Sequence, residues 1–70
     1  MFVVDNVYIC KIKRHCTDFV SVNVYHPDGT LLTRELCRGF DRAQELAGQA
    51  QRIRHLSDDE FNLTIDCRGV

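Results

Sequence analysis

Apolar residues recur along the first half of the chain with the two-residue period of β-strands. β-Branched and aromatic residues are dense from Val7 to Lys13, and "FVSVNVY", from Phe19 to Tyr25, alternates cleanly. This pattern predicts two strands, the second with one apolar and one polar face. The "HPDG" that follows is typical of a type I turn completed by a glycine with positive φ. It predicts a hairpin that leads into a third strand over Thr30–Cys37.

After residue 38 the period changes to that of an α-helix. Apolar residues in "GFDRAQELAGQAQRIRHL" fall three and four positions apart, which predicts one amphipathic helix. We expect Asp41 to be the N-cap, with Phe40 before it and Gln44 completing a capping box. Basic residues at the far end suit the negative end of the helix dipole. The stripe expected to pack on a sheet is Ala43, Leu46, Ala47, Ala50 and Ile53.

The last run, "FNLTIDC" from Phe61 to Cys67, alternates again and predicts a fourth strand. In the connection before it, Ser57 and Glu60 have the spacing of a capping box. The pattern leaves open whether residues 57–61 form a helical turn.

The β-β-β-α-β order predicts a single α+β domain over residues 1–70. Three strands form an antiparallel meander, and a right-handed crossover through the helix places the last strand parallel to the first, in the order 3-2-1-4. We expect the helix to cover one face of this mostly antiparallel sheet. That face should carry Val20, Val22, Val24, Leu63 and Ile65, and nothing in the sequence covers the opposite face.

Length and charge narrow the classes of function. A 70-residue chain buries about 60% of its unfolded surface, which leaves little room for a deep catalytic cleft. We therefore expect a protein that is not an enzyme and that uses no cofactor. A net charge of −1 lacks the basic excess that is usual in nucleic-acid-binding modules.

No stretch approaches the roughly 20 apolar residues that a membrane span needs, so we expect no membrane association. The first ten residues have neither the basic segment nor the cleavage site of a signal peptide. Four cysteines without such a signal favour free thiols in a reducing cytoplasm.

Metal and catalytic sites find weak support. Cys10 and Cys16 are separated by five residues, which exceeds the two to four usual between paired zinc ligands. His15 precedes Cys16, but neighbours on a strand point to opposite faces, so that the imidazole would not reach the thiol. In a turn it would. The acidic run from Asp58 to Glu60 lacks the ligand spacing and the glycine of a calcium loop. We interpret it as a solvated helix start or turn.

Protein interaction is the function that we predict, with another protein or a second copy of the chain as partner. The uncovered face or an edge strand such as "TLLTRELC" would supply the contact, and a homodimer would compensate for the small core. The predicted partner-binding residues are Ser21, Asn23, Tyr25, Leu31, Thr33, Thr64 and Asp66.

Weak nucleic-acid binding is the alternative function. A small open sheet with a tyrosine has the outline of a base-stacking platform, although sheet-based RNA binders usually carry two or three aromatic residues. Its candidate residues are Lys11, Lys13, Arg14, Arg34, Arg38 and Arg42.

Overall fold

The computed structural model describes residues 6–66, which form one four-stranded sheet with a helix on one face. The strands, the α-helix and one 3-10 turn follow each other in the predicted order. Their bounds are β1 Tyr8–Arg14, β2 Val20–Tyr25, β3 Leu31–Cys37, α1 Phe40–Ile53, the 3-10 turn Asp58–Glu60 and β4 Phe61–Asp66.

The predicted strand order is confirmed. The sheet runs β3-β2-β1-β4, so that β3 and β4 are the edge strands of its described part. β2 pairs antiparallel with β1 and β3, while β4 pairs parallel with β1, in register from Tyr8 opposite Phe61 to Lys13 opposite Asp66. This is the register that a crossover through one helix produces.

The "HPDG" turn forms as predicted. Gly29 has a φ of 95°, and its N–H donates to the His26 carbonyl at 2.9 Å. The Asp28 carboxylate accepts hydrogen bonds from the N–H and the hydroxyl of Thr30. These bonds lower the pKa of Asp28, the hydroxyl contributing most. Past the turn, the β2–β3 register shifts between Val24 and Tyr25, a bulge that the sequence did not predict.

The start of α1 differs from the prediction. Gly39, not Asp41, is the N-cap; its φ of 84° and ψ of 156° turn the chain from β3 directly into the helix. Phe40 is consequently the first helical residue, and Asp41 lies within the first turn. No side chain caps this end, so the capping box predicted from Asp41 and Gln44 does not form.

Side-chain hydrogen bonds stabilise the end of α1 and the turn that follows it. Arg54 caps the helix, and its guanidinium donates to the Ala50 carbonyl at 3.3 Å. The turn that the sequence left undecided is a single 3-10 turn. There the Ser57 N–H and hydroxyl both donate to the Glu60 carboxylate at 3.0 Å, which lowers the pKa of Glu60.

The core lies between α1 and the two central strands. Ala43 and Ala47 are buried against the sheet, because their small side chains let the helix backbone approach closely. Ile53, which the sequence placed on the same stripe, is 71% exposed beyond the packed part of the helix. The buried apolar cluster comprises Cys10, Ile12, Val20, Val22, Val24, Ala43, Ala47 and Phe61.

Candidate interaction surfaces

The sheet face opposite α1, called here the polar face, carries most of the residues predicted to bind a partner. Strand register brings Thr64, Lys11, Asn23 and Arg34 into one row across it. The adjacent row contains Asp66, Lys13, Ser21 and Leu36. Tyr25 and Leu31 lie side by side in the row beyond Asn23. Leu31 is exposed, whereas Leu32 packs against the core, as expected when only one of two adjacent leucines can face the helix side.

Ser21 and Asn23 are buried although no helix covers them. The Asn23 side-chain amide donates to the Ser21 hydroxyl at 2.9 Å and to the Lys11 carbonyl at 3.3 Å. His15, in the turn after β1, places its Nε2 2.7 Å from the same hydroxyl. The two residues predicted to bind a partner therefore lie beneath the accessible surface, where they fix the β1–β2 turn to the sheet.

The Ser21–His15 contact has the distance of an activated nucleophile and its base. Nucleophilic catalysis also requires that the hydroxyl reach a substrate. Ser21 is fully buried, and its oxygen already contacts both His15 and Asn23. The arrangement thus acts as a structural hydrogen-bond network in this conformation.

A shallow cavity of about 130 Å³ opens above this network. Its basic lining comes from Lys13, Arg34 and His15, with Tyr25 at one side. The Lys11 ammonium lies 5.7 Å from the centroid of the Tyr25 ring, a cation–π distance. The centre of the polar face is therefore a basic patch next to one aromatic ring.

The basic residues proposed for nucleic-acid binding do not all meet. Lys11, Lys13 and Arg34 share the polar face, but the other three are engaged elsewhere. The guanidinium carbon of Arg14 lies on the helix side of the sheet, 5.0 Å from the centroid of the Phe40 ring. The guanidinium carbon of Arg38 lies 5.7 Å from the centroid of the Phe19 ring. Arg42, on the helix, forms an ion pair with Glu45 at 2.9 Å. The structure therefore brings together three of the six predicted basic residues.

The edge strand β3 has features that discourage pairing with another strand. Its bulge interrupts the register next to Tyr25, and Arg34 and Glu35 occupy its middle with charge on both faces. Native proteins protect sheet edges by such bulges and charges. The register also places Thr33 opposite Val24, on the helix side, so Thr33 does not share the polar face with the other predicted residues.

The edge strand β4 has no bulge, and within Phe61–Asp66 its one charged residue is Asp66, at the end of the strand. This range contains no lysine or proline, and the pairing with β1 is regular. On the helix side, Leu63 and Ile65 are 43% and 40% exposed. The sequence correctly placed them on this face but predicted that α1 would cover them. A helix about 10 Å wide covers roughly two strands spaced 4.8 Å apart, so this face of β4 stays outside its reach.

A second concavity, of about 230 Å³, lies between α1 and β3. Val22 and Val24 line its apolar part, together with Leu46 and Ala50 of the helix. Glu35 and Arg54 contribute charge to its lining. This groove exists because α1 lies over β1 and β2 and leaves the helix side of β3 open as well.

The described cysteines are free thiols in different surroundings. Cys10 is fully buried, and burial raises its pKa to about 11. Cys37 is partly buried, with its thiol 3.6 Å from the Val20 carbonyl, and desolvation raises its pKa. Cys16 is exposed, and Cys67 lies outside the described residues. Among residues 6–66, no three His, Cys, Asp or Glu side chains form a group that could hold a metal ion.

Comparisons with known proteins identify no relative of this chain. No family model matches the chain, and neither the curated proteins nor the solved structures contain a match. In the part of the chain that the structure describes, α1 is too short and too polar to cross a membrane. The surfaces themselves are thus the basis for a functional proposal.

Proposed function

We propose that this protein is a small non-enzymatic interaction module that binds a protein partner through the edge strand β4. The observation that carries the proposal is the exposure of Leu63 and Ile65 beside two fully buried neighbours. Cys10 and Ile12 lie directly opposite them on β1, so the apolar surface of the core continues outward onto β4. A strand added to this edge would extend that surface and pair the outward backbone groups of β4.

Edge-strand pairing supplies both affinity and specificity. Main-chain hydrogen bonds hold the added strand, while alternate side chains select the partner. For β4, the selecting side chains on the helix side are apolar, and those on the other side are Asn62, Thr64 and Asp66. The preferred partner is therefore a strand whose residues alternate between apolar and polar. We further propose that binding takes place in the cytoplasm, where the exposed thiol of Cys16 stays reduced.

Affinity purification from the native host tests this proposal. Proteins recovered with the wild type would be quantified by mass spectrometry and compared with those recovered by Leu63→Lys. The matched control is Leu36→Lys, which places the same charge on the other edge strand at a residue that is 64% exposed. We expect Leu63→Lys to lose specific partners that Leu36→Lys retains. Equal recovery by all three folded proteins would contradict the use of β4.

Single-stranded nucleic acid on the polar face is the second candidate. It is favoured by the grouping of Lys11, Lys13 and Arg34 around Tyr25, since backbone phosphates and a stacked base need that combination. Three phosphate contacts would give a salt-dependence slope of about −2 for the logarithm of the binding constant. Lys13→Gln should flatten this slope, whereas Arg42→Gln removes one charge from the helix and should leave it unchanged. A binding constant that does not change with salt concentration would exclude this nucleic-acid interface.

A further inference from the structure

We propose that the occupant of the β4 edge is a second copy of the same chain, paired antiparallel with Thr64 on the two-fold axis. This inference rests on the proposed function of β4 and names its partner. The product would be a continuous eight-stranded sheet with both α1 helices on one side. Leu63 and Ile65 of the two copies would form one apolar strip between the helices.

Symmetry restricts the possible registers. In an antiparallel pair related by a two-fold axis perpendicular to the sheet, opposed residues must point to the same face. The axis must therefore lie midway between one residue and the same residue of the partner, and the residue that faces its own copy is called the residue on the axis. With Thr64 on the axis, Leu63 lies opposite the partner's Ile65, and Ile65 lies opposite the partner's Leu63. Leu63 and Ile65 of each copy then both gain an apolar neighbour.

The neighbouring registers use these side chains less well. An axis through Leu63 would place Ile65 opposite the partner's Phe61. Phe61 is already buried within its own chain, so it has little apolar surface left to contribute. An axis through Ile65 would move Leu63 beyond the described end of the partner's β4. The Thr64 register is the one that buries both residues within the strand.

Charge also favours β4 over β3 as the self-pairing edge. In the Thr64 register, Asn62 lies opposite the partner's Asp66, and no like charges face each other. The central residue of β3 is Arg34, so a centred pair would place two guanidinium groups directly opposite one another. Moving the axis to Glu35 would oppose two carboxylates instead. Like charges that are directly opposite destabilise strand pairs, so these two registers of β3 are disfavoured while the Thr64 register of β4 is not.

Sedimentation of the purified protein tests the second copy directly. We expect a particle of twice the mass of one chain, and about tenfold or more weaker self-association for Leu63→Lys, whose ammonium would face the partner's Ile65. Leu36→Lys should associate like the wild type, and circular dichroism would verify that each variant is folded. A wild type that stays monomeric at millimolar concentration would overturn the inference. A dimer that Leu63→Lys leaves unchanged would overturn the use of β4.

Disulfide trapping tests the register. Thr64→Cys would be made in a background where Cys16, Cys37 and Cys67 are serine, and oxidised glutathione would accept the two electrons and two protons. Two thiols on the axis lie within bridging distance, so we expect rapid covalent dimerisation. In the matched control, Asn62→Cys, the thiols lie four residues apart along the pair, roughly 13 Å, and should cross-link poorly. Faster trapping through position 62 would overturn the register.

The second copy and the use of β4 can be refuted separately. A monomeric wild type that loses host proteins on Leu63→Lys would refute the second copy and leave β4 as a binding edge for another protein. A monomer whose host partners are unaffected by that substitution would refute both.

Discussion

Cys10 and Leu63 are direct neighbours on the parallel strands β1 and β4, yet Cys10 is fully buried and Leu63 is 43% exposed. The edge of the helix passes between them. Ile12 and Ile65 form the next pair on this face and show the same contrast. The boundary of the core is thus a line between two strands, and it separates residues that stabilise the fold from residues available to a partner.

This boundary predicts unequal effects for two isoleucines. Ile12→Ala removes a fully buried side chain and should lower the free energy of unfolding by about 2–5 kcal/mol. Ile65→Ala, at a half-exposed position, should cost about 1 kcal/mol in the monomer. Urea unfolding at a concentration too low for self-association measures both. Equal losses would mean that the helix side of β4 is covered by something other than α1.

The hydrogen bonds of Ser21 give a second prediction. Ser21→Ala removes the hydroxyl shared by His15 and Asn23 and should cost about 1–2 kcal/mol, because the buried Asn23 amide then keeps only the Lys11 carbonyl as acceptor and His15 loses its contact with the sheet. A double-mutant cycle with His15→Ala should show a coupling energy of about 0.5 kcal/mol or more. Strict additivity in urea unfolding would mean that His15 does not bind Ser21 in solution.

Much of the fold could be predicted because the local signals agree with the tertiary structure. The alternation around Val20–Tyr25 and the Pro27–Gly29 turn determine the central hairpin, and the helical period determines α1. The crossover rule then leaves one sensible sheet order. The helix N-cap was predicted wrongly because Asp41 has a favoured capping side chain, while Gly39 achieves the same turn by its backbone conformation.

The candidate surfaces were less predictable, since they depend on how far one element reaches over another. Alternation placed Leu63 on the helix side but carried no information on the width of α1. The bulge next to Tyr25 reversed the face of Thr33 without a glycine or proline to indicate it. Ser21 was expected to be exposed because strand alternation places it on the uncovered face. Its contact with His15 depends on the path of the β1–β2 turn, which periodicity does not describe.

Cys10 supplies a prediction about pH. Burial raises its pKa to about 11, whereas an unfolded cysteine titrates near 8.5. Between these values, the folded protein holds a proton that the unfolded chain loses, so stability is fully present below about pH 8.5 and falls towards pH 11. The expected slope is up to about 1.4 kcal/mol per pH unit.

Cys10→Ala should remove this contribution to the slope when urea unfolding is repeated between pH 8 and 11. The thiol should also resist alkylation until the protein unfolds, while the exposed Cys16 reacts at once. Rapid alkylation of Cys10 in the native protein would contradict its burial.

We expect substitution by alanine to change the stability in opposite directions at Gly39 and Gly48. At Gly39, φ is 84° and ψ is 156°, a region that is almost restricted to glycine, so Gly39→Ala should destabilise the protein by about 1–3 kcal/mol. Gly48 lies inside α1, and a Cβ added there meets nothing within 4 Å. Gly48→Ala should therefore stabilise the protein by about 1 kcal/mol, since alanine is the better helix former. Because each change adds one methyl group, thermal unfolding of the pair isolates the backbone effect. A neutral Gly39→Ala would show that the chain enters α1 by another path, with Asp41 as the alternative cap.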